Sequence, residues 1–165
     1  MVDAEYLADI RIQFEKLKAH VEQAVAQVSD DQLHVTLDPE SNSLAILMRH
    51  MAGNLRSRFT DFLTSDGEKP DRNRDGEFEL DRPLTRGEIL ADWESGWTTL
   101  FAALEGLSSD DLPRDVFIRA ERHSVLQALQ RQLTHHAGHA GQIVFLAKHL
   151  AGGGWNTLSL PRRRR

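Results

Sequence analysis

A chain of 165 residues with 40% apolar content and no cysteine is one domain's worth of sequence, with no disulfide framework, no thiolate zinc site and no sulfur nucleophile of its own. Acidic residues outnumber basic ones 25 to 20, and four of the basic ones form the terminal run Arg162 to Arg165, so the body is more acidic than the net charge of −5 states and lacks the basic footprint of nucleic-acid binding. The opening, MVDAEYLADIRIQFEK, has neither the basic start nor the unbroken apolar core of a signal peptide, and nothing approaches a membrane-spanning run, so a cytoplasmic protein without a membrane partner is expected.

Apolar positions recur at helical spacing in four long segments, and strict alternation is almost absent. The first segment, 4–28, carries Leu7, Ile10, Phe14, Leu17, Val21 and Val25 on one stripe and ends at SDDQL. The second, 43–63, places Leu44, Met48, Met51, Leu55, Phe59 and Phe62 three and four apart. The polar stretch 64–84, with Gly67, Pro70, Gly76 and Pro83, shows no period and reads as a long crossover loop, which leaves the order of helix directions open. Thr85 with Glu88 forms a capping-box pattern that starts a third helix, 86–105, with Ile89, Trp93, Trp97, Leu100 and Leu104 on its buried face.

After EGLSSDDLP breaks the pattern, DVFIRAER reads as a short extended link, and Ser124 with Gln127 offers a second capping box for a helix over 125–151. Gly152, Gly153 and Gly154 stop that helix, and 152–165 is expected to be a nonhelical tail whose Trp155 and Leu158 dock on the body. The expected architecture is all-α: a four-helix bundle in one domain, 1–165, with a long loop between helices two and three.

The last helix holds THHAGHAGQIVFLAKH, four of the chain's eight histidines. Residues four apart on a helix share a face, so His135 and His139 can offer ring nitrogens to one point, whereas His136 is rotated about 100° away and belongs to another stripe. The apolar stripe is read as Leu126, Leu129, Leu133, Ala137, Ala140, Val144 and Ala147, with the pair at its edge. Ala137, Gly138, Ala140 and Gly141 leave room beside the rings. His149 lies about 15 Å along the axis from His139, too far to share an ion with it. One histidine in such a place is ordinarily a hydrogen-bonded core residue. The HxxxH pair is half of a transition-metal site, which needs a further ligand from another helix. His20, His34 and His123 are available, but His50 is best placed, inside the apolar SLAILMRHMAGNLRSRF, where burial is costly unless its nitrogens are engaged. An ion on His50, His135 and His139 would keep an open position.

NSLAILMRHMAGNLRSRFTDFLTSDGEKPDRNRDGEFE followed by QLTHHAGHAGQIVFLAKHL resembles the DinB/YfiT-like superfamily of four-helix bundles, and within it a subgroup of unknown function. The resemblance spans nearly the whole chain. It implies a divalent metal such as zinc or nickel on three histidines that match His50, His135 and His139. It also implies relatives that transfer or isomerise with bacillithiol, mycothiol or glutathione, and bundles that are often homodimers.

Gln142, one turn after His139, and Asn54, one turn after His50, are candidates to line the cavity and hold a water or a small-molecule substrate; interhelical hydrogen bonds or capping are the alternative. Arg56, Arg58, Arg72 and Arg74 around the loop either hold a substrate carboxylate or pair with Asp61, Asp71, Asp75 and Glu77 in a solvated network. The expected function is metal-dependent transfer of a low-molecular-weight thiol, with a nonenzymatic metal-binding stress protein or metal-assisted hydrolysis as alternatives. No E-x-x-H pattern supports a di-iron bundle, and no G-x-S-x-G elbow supports a serine hydrolase.

Overall fold

Both capping boxes read from the sequence are formed. In each, the Thr85 or Ser124 hydroxyl accepts from the backbone three residues on, and the Glu88 or Gln127 side chain accepts from the cap's own N–H. They fix the starts of two helices at the expected residues in a computed structural model that describes residues 2–79 and 81–160. The long helices are α1 (Val2–Val25), α2 (Leu44–Phe59), α3 (Arg86–Glu105) and α4 (Val125–Ala151). A two-stranded antiparallel hairpin, β1 (Asp115–Ile118) with β2 (Glu121–Ser124), precedes α4.

The fold is an all-α bundle in which α2 packs chiefly on α3 and α1 on α4. Phe14, Met51, Leu55, Trp93, Trp97 and Leu129 fill its centre with essentially no exposure. Each such side chain contributes about 1.5–3 kcal/mol by leaving water. Gly96 sets the α2–α3 distance, because a Cβ there would lie 2.7 Å from the Ala52 Cα. No helix among the described residues is long and apolar enough to cross a membrane.

Four expectations change. Helix one stops at Val25 and helix two at Phe59, earlier than 28 and 63, because the chain turns while its apolar residues stay docked: Val28 and Phe62 remain in the core. Thr60 is extended and Asp61 has φ 48°, which ends α2. The link DVFIRAER is the hairpin itself, paired from Asp115 with Ser124 to Ile118 with Glu121. The buried face of α4 runs through Val125, Leu129, Gln132, His136, Ala140 and Ile143, while Leu126 and Ala137 are exposed. Leu129, Ala140 and Ala147 of the expected stripe are buried, and the face is turned toward Gln132 and His136, two polar residues at its centre.

In the tail, Gly152–Gly154 form a short 3-10 turn rather than irregular chain. Trp155 and Leu158 pack on the core as expected. The arginine run 162–165 lies outside the described residues.

The crossover stretch is folded back on the bundle. Asp66 accepts the backbone N–H of Arg119 at 2.9 Å and of Ala120 at 2.7 Å, the two residues of the hairpin turn. Both have positive φ, 56° and 61°, an arrangement that favours asparagine and glycine, so the carboxylate offsets a local strain. Gly67 N–H donates to Phe117 O at 2.7 Å, and the Ser57 hydroxyl and Arg58 guanidinium both donate to Gly67 O. The loop is thereby held against α2 at Ser57 and Arg58.

Candidate metal centre

The bundle brings His50, His135 and His139 together. One ring nitrogen from each lies within 4.8 Å of the other two, and the ring centroids are 4.6–5.5 Å apart. His50 is 4% exposed and the α4 pair is half-buried. His20, His34 and His123 are not in this group; His34 Nε2 donates instead to Leu84 O at 2.8 Å.

What orients the rings decides whether they suit an ion. His50 Nδ1 donates to Glu77 Oε2 at 2.8 Å, leaving Nε2 with its lone pair. His139 Nδ1 donates to Gln142 Oε1 at 2.8 Å, with the same consequence. His135 Nε2 is buried with no hydrogen-bond partner among the described residues, an orphan of the kind that a ligand satisfies. Burial, then the neighbouring His139 and His50, push the His135 pKa down to about 4, and burial holds His139 below the ordinary histidine range. Both rings are therefore neutral near pH 7, the form that binds metal. Three convergent imidazoles, two of them oriented through Nδ1, fit a divalent transition ion.

Glu77 comes from the loop, one residue before Phe78, whose ring lies 4.8 Å from that of His50. Burial would raise its pKa, but hydrogen bonds from His50 and Arg72 outweigh that and hold the carboxylate ionised. Arg72 grips it with Nε to Oε1 and a terminal nitrogen to Oε2, both at 2.8 Å. Arg72 also meets Glu68, which bonds Arg58 and Arg119. Gly53 makes the approach possible: a Cβ there would lie 2.3 Å from Glu77 Oε1. A chain of ion pairs thus runs from His50 through the loop to the hairpin turn.

The model of a family described as a protein of unknown function, DUF1572, matches residues 1–164. The chain belongs to the DUF1572 family. A search of the curated proteins finds no match.

The other residues expected at this DUF1572 site divide. Gln142 is there, holding His139. Asn54 accepts from Gln132 Nε2 at 2.7 Å in an interhelical bond. Gln132 uses its second amide hydrogen on His136 Nδ1 at 2.7 Å, and His136 Nε2 donates to Met51 O at 3.3 Å. His136 is 0% exposed and burial pushes its pKa down to about 3, so it is a neutral, satisfied core histidine behind the metal-site pair. Gly138 and Gly141 face open space and do not make room beside the rings.

The arginines pair with acids, but of the four acids expected only Asp75 and Glu77 are partners; Glu68 and Asp92 take the places of Asp61 and Asp71. Arg72 takes Glu77, Arg58 takes Glu68, Arg56 takes Asp92 and Arg74 takes Asp75. The Arg72–Glu77 pair is buried rather than solvated, and its bond to His50 is the part of the site that the sequence did not reveal. Its only signal was an acid and an arginine five apart in a loop, which many exposed loops share. A groove of about 870 Å³ between α1 and α3 includes none of the triad, and its acids Glu22, Glu94 and Asp30 are already paired with Lys18 and Arg86.

Proposed function

We propose that this DUF1572 protein is a cytoplasmic enzyme of the DinB/YfiT-like type that holds zinc or nickel on His50, His135 and His139 and transfers a low-molecular-weight thiol to an electrophilic small molecule. The observation that carries the reading is the buried, unpartnered Nε2 of His135 beside two rings whose Nδ1 atoms are already engaged. A divalent ion on neutral imidazoles keeps its full charge and supplies Lewis acidity, which favours the thiolate of an external thiol near neutral pH.

The chain's own residues do the rest. Glu77 and Gln142 fix the ring orientations, and Phe78 covers His50 from the loop side. The Gln142 amide nitrogen has no partner among the described residues and is free to donate to a bound molecule. A chain without cysteine has no internal thiol to compete with the external one. In the transfer the thiol gives its proton to water, its sulfur bonds to carbon as the carbon–halogen or carbon–oxygen bond breaks, and the halide leaves with the electron pair or the opened epoxide oxygen takes the pair and a proton from water. The family resemblance also favours a homodimer, which sedimentation checks.

The test is to incubate metal-loaded protein with bacillithiol, mycothiol, glutathione or coenzyme A and a chlorinated aromatic or an epoxide. At least one pair should be consumed faster than with His139→Ala. Equal rates for every pair would remove the transferase reading and leave metal binding without turnover or metal-assisted hydrolysis.

A further inference from the structure

Beside the triad lies a second, smaller pocket of about 300 Å³, lined among others by Leu37, Glu40, Leu47, Gln142, Phe145 and Leu146. Gln142 belongs to both: its oxygen accepts from His139 while its side chain forms part of the pocket wall. Leu47 precedes His50 by three residues and Leu146 follows His139 by seven, so each stands on the helical face that carries its histidine. The pocket therefore adjoins the candidate metal centre through Gln142, on the side toward the start of α2 and the end of α4.

Its chemistry differs from that of the loop side. Phe145 is 67% exposed and Leu37 48%, two large apolar side chains left in water at the rim of a concavity. Glu40 is the one charged residue in its lining among the described residues. Arg58 and Arg72 are held in ion pairs with Glu68 and Glu77 on the loop side of α2, and no basic residue lines this wall among the described residues. An apolar cavity of about 150 Å³ accommodates benzene, so this volume admits an aromatic ring with a polar substituent.

We propose that this pocket binds the apolar body of the electrophilic substrate and selects uncharged or cationic aromatic molecules over carboxylates. This rests on the transferase reading for the identity of the occupant, but binding itself is measurable without thiol or turnover. The Gln142 amide would donate to the polar substituent nearest the triad, and Glu40 in the same lining would meet a cationic group.

The experiment is titration of isotope-labelled full-length protein with benzyl alcohol, benzylammonium and benzoate, followed through backbone amide shifts. The first two should shift Leu47 and Gln142 through Leu146. Benzylammonium should bind about threefold tighter than the alcohol and benzoate about threefold weaker, as expected for one partly exposed charge. Phe145→Ser and Leu37→Ser, at exposed positions that leave the core intact, should each weaken benzyl alcohol about fivefold, while Glu40→Gln should erase the preference for the cation. Shifts centred on the α1–α3 groove, tightest binding by benzoate, or affinities unchanged in Phe145→Ser would overturn the pocket. Binding as described in a protein that transfers no thiol would overturn the transferase reading alone. Transfer by a protein whose pocket residues do not respond to the probes would overturn the pocket alone.

Discussion

Glu77 and Gly53 act on His50 from opposite sides of one contact. Glu77→Gln keeps the size of the side chain but removes the charge that fixes the His50 tautomer and neutralises Arg72. Zinc affinity, measured by competition with a chromophoric chelator, should fall about 10–100-fold. The apoprotein should also lose about 1–3 kcal/mol, because the buried Arg72 guanidinium keeps only its longer contact to Glu68 as a charged partner. Gly53→Ala sharpens the argument. In an ordinary helix interior that change stabilises by about 0.5–1 kcal/mol. Here the new Cβ would lie 2.3 Å from a carboxylate oxygen that His50 and Arg72 hold in place, so the substitution should cost about 1–3 kcal/mol and weaken zinc binding as well. Denaturant midpoints with and without zinc check both effects.

At the scale of elements, the hairpin and the crossover stretch stand or fall together. Asp66→Ala removes the acceptor for two backbone donors in a turn whose two residues both have positive φ. It should destabilise the protein by about 1–3 kcal/mol. It should also raise hydrogen exchange at Arg119, Ala120 and Gly67 more than in α3, which makes none of these contacts. The starts of α3 and α4 were legible because a capping box is a local device: Thr85 with Glu88 and Ser124 with Gln127 need nothing beyond three residues of spacing. The ends of α1 and α2 were not, since Val28 and Phe62 reach the core from a turn and so continue the apolar period after the helix has stopped. The order of the 64–84 stretch was illegible for a related reason. Its contacts, Asp66 to the hairpin and Glu77 to His50, join residues 27 to 54 positions apart and leave no periodic trace.

For the whole molecule, the histidine layer sets the response to acid. His136 is held down to about 3 and His135 to about 4, both below the value near 6.5 of an unfolded histidine. The unfolded chain therefore binds protons that the folded one refuses. This contribution to stability is complete above about pH 6.5 and is lost as pH falls toward the folded values. Metal-free protein should lose about 1.4 kcal/mol per pH unit for each such histidine between pH 6 and 4. His136→Asn, which keeps an acceptor for Gln132, should lower that slope by one histidine's share, as urea midpoints against pH would show. The triad was readable from HxxxH spacing and one histidine in an apolar helix, whereas the placement of His136 at the centre was not. A hydrophobicity stripe does not register a polar cluster that satisfies itself, as Asn54, Gln132 and His136 do.

The central claim is that His50, His135 and His139 hold one divalent ion while the other histidines do not. Elemental analysis of protein purified without chelator or metal-affinity resin tests it most directly, in the unmodified chain and in single alanine variants. The account predicts about one zinc or nickel per chain, lost in His50→Ala, His135→Ala and His139→Ala and kept in His149→Ala and His136→Asn. Metal content in His50→Ala equal to that of the unmodified chain would contradict it.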